Sequence, residues 1–133
     1  MALVAAISPK LFAALLKFFD LMYAPYRIRT LLKGKTAEAR ARAASSLGEA
    51  NHQRAVLPLI KALKDEDEGV RIQAAFSLGG LADKRAIPAL EWMRDNDKGI
   101  SMGYDAKKVA TDAIEAINKD VRRPRGVENS AWP

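Results

Sequence analysis

The chain of 133 residues has no cysteine, one histidine (His52) and few aromatic side chains, 7% of the total. Without cysteine there is no disulfide, no thiolate zinc site, no iron–sulfur ligation and no thiol nucleophile. A lone imidazole has no companions for a metal centre, and His52 reads as a surface residue of a polar loop. No glycine-rich phosphate loop occurs, and Gly79-Gly80 reads as a helix stop. Ser45, Ser46 and Ser77 fall at helix-packing positions rather than in a nucleophile constellation. The acidic run Asp65, Glu66, Asp67, Glu68 lacks the spaced ligands and terminal Glu of a calcium loop, and reads as a solvated turn. No residue is therefore assigned a catalytic, cofactor-binding or metal role, and an enzyme is not expected.

Long hydrophobic runs are missing as well. The first 25 residues are apolar, but Pro9, Lys10, Lys17 and Asp20 interrupt them, so a spanning helix of about 20 residues does not fit. Lys10 follows the first apolar stretch instead of preceding it, unlike a signal peptide. An amphipathic helix fits better. Ser8-Pro9 makes a start signal, a side-chain cap followed by a residue whose missing N–H costs nothing there. Leu11, Leu15, Phe18 and Met22 line one face with Phe12, Leu16, Phe19 and Leu21 beside them, and Lys17 and Asp20 lie opposite. Ala24-Pro25 is expected to end this helix.

The chain is basic, with 22 Lys and Arg against 16 acidic residues and a net charge of +6. The excess sits at the ends. Residues 1–35 carry six basic groups against Asp20, and residues 119–133 carry Lys119, Arg122, Arg123 and Arg125 against Asp120 and Glu128. Residues 36–118 are close to neutral, with 12 basic and 13 acidic groups. Basic ends make an anionic membrane surface or nucleic acid conceivable partners, while the neutral middle disfavours a groove that tracks phosphates.

The positive content of the sequence is a repeat. A shift of 31 positions aligns RARAASSLGEANHQRAVLPL, from Arg40, with RIQAAFSLGGLADKRAIPAL, from Arg71, and makes nine identical pairs. They include Ala43/Ala74, Ala44/Ala75, Leu47/Leu78, Gly48/Gly79 and Leu59/Leu90. Each unit reads as two helices. Paired alanines allow close approach, Gly48 and Gly79 suit left-handed C-caps, and Pro58 and Pro88 lie in the first turn of the second helix. Lys107, Ala110, Ile114 and Ile117 repeat the first-helix pattern at an offset of 36, with the extra residues in the turn DNDKGISMGYD. A hairpin cannot bury its apolar face alone, so stacked neighbours must share one core.

VRIQAAFSLGGLADKRAIPAL resembles the short HEAT-type repeat known from phycobilin lyase subunits: Val-Arg, paired Ala, Leu-Gly, a loop, then Ala-Ile-Pro and Leu. The resemblance is good over residues 36–96 and partial over 104–118. It implies an all-α, right-handed α-solenoid of about three and a half helical hairpins. The expected organisation is a solenoid over 1–118, with a divergent N-terminal hairpin (8–35), repeats at 36–68 and 69–103, and a terminal helix (104–118). A flexible basic tail (119–133) follows. Lyase activity is not carried over, since lyases resembling this chain are longer and usually work as pairs of subunits.

The expected function is a non-catalytic protein-binding module or accessory scaffold subunit. Its candidate contact residues are Leu11, Phe12, Leu15, Phe18, Phe19 and Met22 of the first helix, Lys61, Trp92 and Arg94 of the concave face, and Trp132 of the tail. Another protein or a second copy is the favoured partner. Attachment to an anionic membrane surface is the alternative, weak nucleic-acid binding ranks below it, and no cofactor is implied. The expected location is cytoplasmic, at a membrane periphery or within a larger complex. Arg40 and Arg71 recur at one repeat position and are expected to pair with acidic turn residues such as Asp65 or Asp67.

Overall fold

The computed structural model describes residues 7–121, which form six α-helices and one small hairpin. The helices are α1 (Pro9–Lys33), α2 (Ala37–Glu49), α3 (Val56–Ala62), α4 (Glu68–Leu81), α5 (Ile87–Asn96) and α6 (Ala106–Val121). Short 3-10 turns, Gln53–Ala55 and Lys84–Ala86, lead into α3 and α5. Three starts are capped in one way. Ser8, Thr36 and Asp67 each accept the backbone N–H three residues ahead, at 3.2, 3.2 and 3.1 Å, which satisfies one of the donors orphaned at a helix N-terminus.

The helices stack in two layers. One holds α2, α4 and α6, and the other holds the C-terminal part of α1 with α3 and α5. Packing runs along the first layer and across the pairs α1–α2, α3–α4 and α5–α6. Leu47, Leu59, Leu78, Leu90 and Ile117 are fully enclosed, and the buried alanines Ala44, Ala55, Ala74, Ala75, Ala86 and Ala110 let helices approach where a larger side chain would hold them apart. The single core anticipated from the 31-residue period is present.

Four expectations are corrected. Ala24-Pro25 does not end a helix. The anticipated N-terminal hairpin is instead the single 25-residue helix α1, with Pro25 inside it. Proline removes the N–H that would pair with the Leu21 carbonyl, a cost of about 3 kcal/mol in a helix interior. Leu21 and Pro25 are both exposed, so water can reach the orphaned carbonyl, and burial of Ala24 and Leu31 just beyond offsets the loss. The glycines Gly48 and Gly79 are not caps either. They lie inside α2 and α4, at the crossings between helices. A Cβ on Gly48 would come within 2.9 Å of the Ser77 Cα, and one on Gly79 within 3.1 Å of the Ala113 Cα. The left-handed residues that close these helices are Asn51 and Ala82, both with φ of 54°.

Thirdly, the residues inserted after α5 form an antiparallel hairpin, with Ile100 opposite Asp105 and Ser101 opposite Tyr104. Met102 and Gly103, at φ of 50° and 82°, take the two left-handed positions that a tight hairpin turn requires. Finally, His52 is half-buried, and its Nε2 is enclosed without a hydrogen-bond partner among the described residues. The terminal helix continues to Val121, three residues past its expected end. The remaining tail, with Trp132, lies outside the described residues.

Candidate functional site

The sequence-predicted contact residues fall into two separate surfaces. The first is the N-terminal part of α1. Leu11, Phe12, Leu15, Leu16, Phe18, Phe19, Leu21, Met22 and Tyr23 are each between 38% and 61% exposed, and the first enclosed residue of the helix is Ala24, at 2%. Residues 9–23 therefore stand clear of the core as an arm about 22 Å long. Its aromatic rings contact one another instead: Phe18 meets Phe19 edge-on at 6.2 Å, and Phe19 stacks on Tyr23 at 6.5 Å. With Phe12, Leu16, Phe19 and Leu21 flanking the Leu11 stripe, apolar side chains cover well over half of the circumference, a wide arc already evident in the sequence.

The second surface is the outer side of α3 and α5. Trp92 is 50% exposed and Leu57 is also open. In the 31-residue register Tyr26, Leu57 and Pro88 are equivalent, as are Thr30, Lys61 and Trp92, and all but the half-buried Thr30 are exposed. The cation over the indole is one that the sequence reading did not name. Lys64 Nζ lies 5.7 Å from the Trp92 ring centroid, a cation–π arrangement. Arg94 sits about 200° away around α5, where its Nε donates to Asp95 at 2.8 Å. The Asn96 side-chain amide donates to the Trp92 carbonyl at 2.8 Å. Between Lys64, Trp92, Arg71, Asp97 and Lys98 there is an open cleft of about 390 Å³.

A third exposed apolar group was not anticipated. Phe76 on α4 meets Tyr104 of the hairpin edge-on at 5.1 Å, with Ile100 open and Met102 92% exposed at the hairpin tip. The alternation Ile100, Met102, Tyr104 inside the inserted turn was the available signal, a period of two where the flanking segments repeat as helices.

The arginines that recur at one position of the two repeats are structural. Arg40 Nε and Nη2 donate to both oxygens of Asp65 at 2.9 and 3.0 Å, and Nη1 donates to the Gly34 carbonyl at 2.9 Å. One repeat later, Arg71 donates to both oxygens of Asp97 at 2.6 and 3.2 Å, and to the Asp65 carbonyl at 2.9 Å. Arg71 thus chooses Asp97 rather than the Asp65 or Asp67 carboxylate. Each arginine ties the turn before its helix to the turn after the next one. Burial alone would raise the Asp97 carboxyl, but the Arg71 guanidinium and the Gly99 N–H outweigh it and hold the group below the ordinary carboxylate value. Bonds to Asp65 and Asp97 raise the already high values of Arg40 and Arg71. Arg42, Arg85, Arg94 and Lys108 are ion-paired too, with Glu38, Asp83, Asp95 and Asp112. The repeats therefore neutralise many of their own cations.

Among the described residues no group of His, Cys, Asp and Glu could hold a metal ion, and no helix is long and apolar enough to cross a membrane. The HEAT-repeat family model matches residues 25–102, more than half of the chain. The chain belongs to the HEAT-repeat family. Two curated relatives match part of the chain. A deoxyhypusine hydroxylase of Phaeosphaeria nodorum is 38% identical over 71 residues, covering 52% of this chain and 22% of that protein. A phycocyanobilin lyase subunit alpha of Picosynechococcus is 36% identical over 78 residues, covering 59% of this chain and 29% of that protein. This chain spans less than a third of either relative, and the family match begins beyond the α1 arm.

Proposed function

We propose that this HEAT-repeat chain is a non-catalytic accessory module that holds a protein partner on the outer side of α3 and α5. HEAT repeats commonly mediate protein interaction. The observation that carries the reading is the stripe of exposed side chains at two recurring repeat positions, Tyr26 and Leu57 at one and Lys61 and Trp92 at the other, with the exposed Lys33 and Lys64 one helical turn further on. Large apolar groups rimmed by lysine suit a partner surface that offers apolar side chains among carboxylates. Trp92 is the natural anchor, since half of its large ring area is still open and tryptophan is over-represented at binding hot spots. The catalytic roles named for the two relatives are not assigned to this chain, whose matched segment is a minority of each.

The test is affinity capture from the source cell with three baits: the wild-type chain, L57S/W92A and F12S/F19S. Proteins retained by wild type and by F12S/F19S, and lost with L57S/W92A, are the expected result. Identical captures with all three would remove the α3/α5 surface from the account.

A further inference from the structure

We propose that the arm of α1 is a monotopic membrane anchor that inserts into one leaflet of an anionic bilayer. This goes beyond the protein-binding role of the repeats and does not depend on it.

The arm is built so that its own body cannot cover it. At 100° per residue, Leu21, Phe18, Leu11, Met22, Leu15, Phe19, Phe12 and Leu16 occupy an arc of about 220°. By register the remaining sector of the arm carries Lys10, Ala13, Lys17 and Asp20. Further along the same helix, Ala24, Ile28 and Leu31 project into that same sector, and they are the residues that pack on the solenoid. The line along which α1 joins its body is thus continued into the arm by two lysines, an alanine and an aspartate, while the apolar arc looks away. An uninterrupted helix cannot turn that arc inward.

A second copy is a poor match. One neighbouring helix covers a stripe of about 100°, which leaves more than half of the arc in water. A bilayer encloses a wider arc when the helix lies tilted within one leaflet with that arc toward the hydrocarbon. Leu11 to Met22, about 18 Å of helix, supply the arc, and Lys17 and Asp20 fall on the opposite sector. Next come Tyr23 and Tyr26, both exposed, the residue type enriched at membrane–water boundaries. Beyond them Arg29, Lys33 and Lys35 are exposed, where they would meet anionic headgroups. Lys10 and Lys17, seven residues apart on the sector opposite the arc, face the headgroups in this orientation. The tyrosine pair and the basic cluster follow the apolar arc along the axis, where the helix leaves the leaflet for the solenoid.

The experiment is co-sedimentation of the full chain with phosphatidylcholine vesicles containing 30% phosphatidylglycerol, and with pure phosphatidylcholine vesicles, in low and high salt. The chain has no native cysteine, so L15C and D112C can each carry a single polarity-sensitive dye. The expected result is partitioning onto the anionic vesicles that weakens in high salt and is weaker still on phosphatidylcholine. Dye at position 15 should shift to the blue, and dye at position 112 on α6 should not. R29A/K33A should lower partitioning roughly 25-fold, at about fivefold per basic residue. F12S/F19S should abolish it while the far-UV helical signal is kept, and W92A should bind as wild type. No sedimentation on anionic vesicles at low salt overturns the proposal. So does sedimentation without a shift at position 15, which would mean adsorption by charge alone. A dimer in light scattering that F12S/F19S dissolves, without vesicle binding, would assign the arc to a second copy and also overturn it. None of these failures touches the L57S/W92A test.

Discussion

The two ends of α1 have opposite fates, and the more apolar of them is the one left uncovered. From Ala24 to Leu31 the helix contributes to a shared core, and from Leu11 to Tyr23 it contributes nothing to it. The difference is one of neighbours and azimuth. The C-terminal part lies across α2 and α3 with its buried residues on one line. The N-terminal part runs past the end of the stack with its apolar arc pointing elsewhere. Hydrophobicity alone does not say where a residue is buried; the repeat period does. Only the part of α1 in register with the 31-residue repeat is held by the solenoid.

Substitutions should separate the two regions sharply. The largest expected effect lies in the body. Leu78 is fully enclosed between helices, so L78A should cost about 3–4 kcal/mol in urea unfolding. A cost under 1 kcal/mol would mean that the core is not shared between repeats. Next comes the arginine ladder. The Asp97 side chain is only 6% exposed and holds Arg71 at both oxygens, so R71A should cost about 3 kcal/mol, slightly less than a fully buried pair because Arg71 is partly open.

The same pair sets a pH dependence. The folded Asp97 carboxyl lies below its ordinary value, so the unfolded chain binds more protons in the window beneath about pH 4. The stability from this pair is fully present above that window and is lost as pH falls through it. Between pH 5 and pH 3 the wild type should lose more stability than D97N; equal losses would remove the pair as the cause. A smaller and opposite effect is expected at Ala82, which closes α4 in the left-handed region. A82G should stabilise the body by about 0.5–1 kcal/mol, and a loss of stability would show that the Ala82 methyl matters more than its φ.

Most of the body was legible in the sequence because identical residues recur where helices meet. Ala43/Ala74 and Leu47/Leu78 marked the core, Ser8 marked a helix start, and the acidic turns marked the partners of Arg40 and Arg71. The features that were not legible are those in which tertiary contact overrides a local preference. Pro25 reads as a breaker, yet it stands in a helix whose far side pays no burial penalty there. Gly48 reads as a cap, and its real constraint is Ser77 on another helix, 29 residues away. The hairpin at Ile100–Asp105 was hidden in a stretch rich in Gly and Asp. The contact of Lys64 with the Trp92 ring was not foreseen either, since it forms between repeats from one helical turn beyond Lys61.

The separation of arm and body is tested most directly by amide hydrogen exchange on the monomeric chain in dilute solution, without lipid. An uncovered helix of about 15 residues is marginal in water, so amides of residues 11–23 should exchange orders of magnitude faster than those of residues 43–47, 74–78 and 109–117, which are expected to exchange near the limit of global unfolding. Equal protection of the two sets would mean that the arm is packed by its own chain, and would contradict the division on which the account rests.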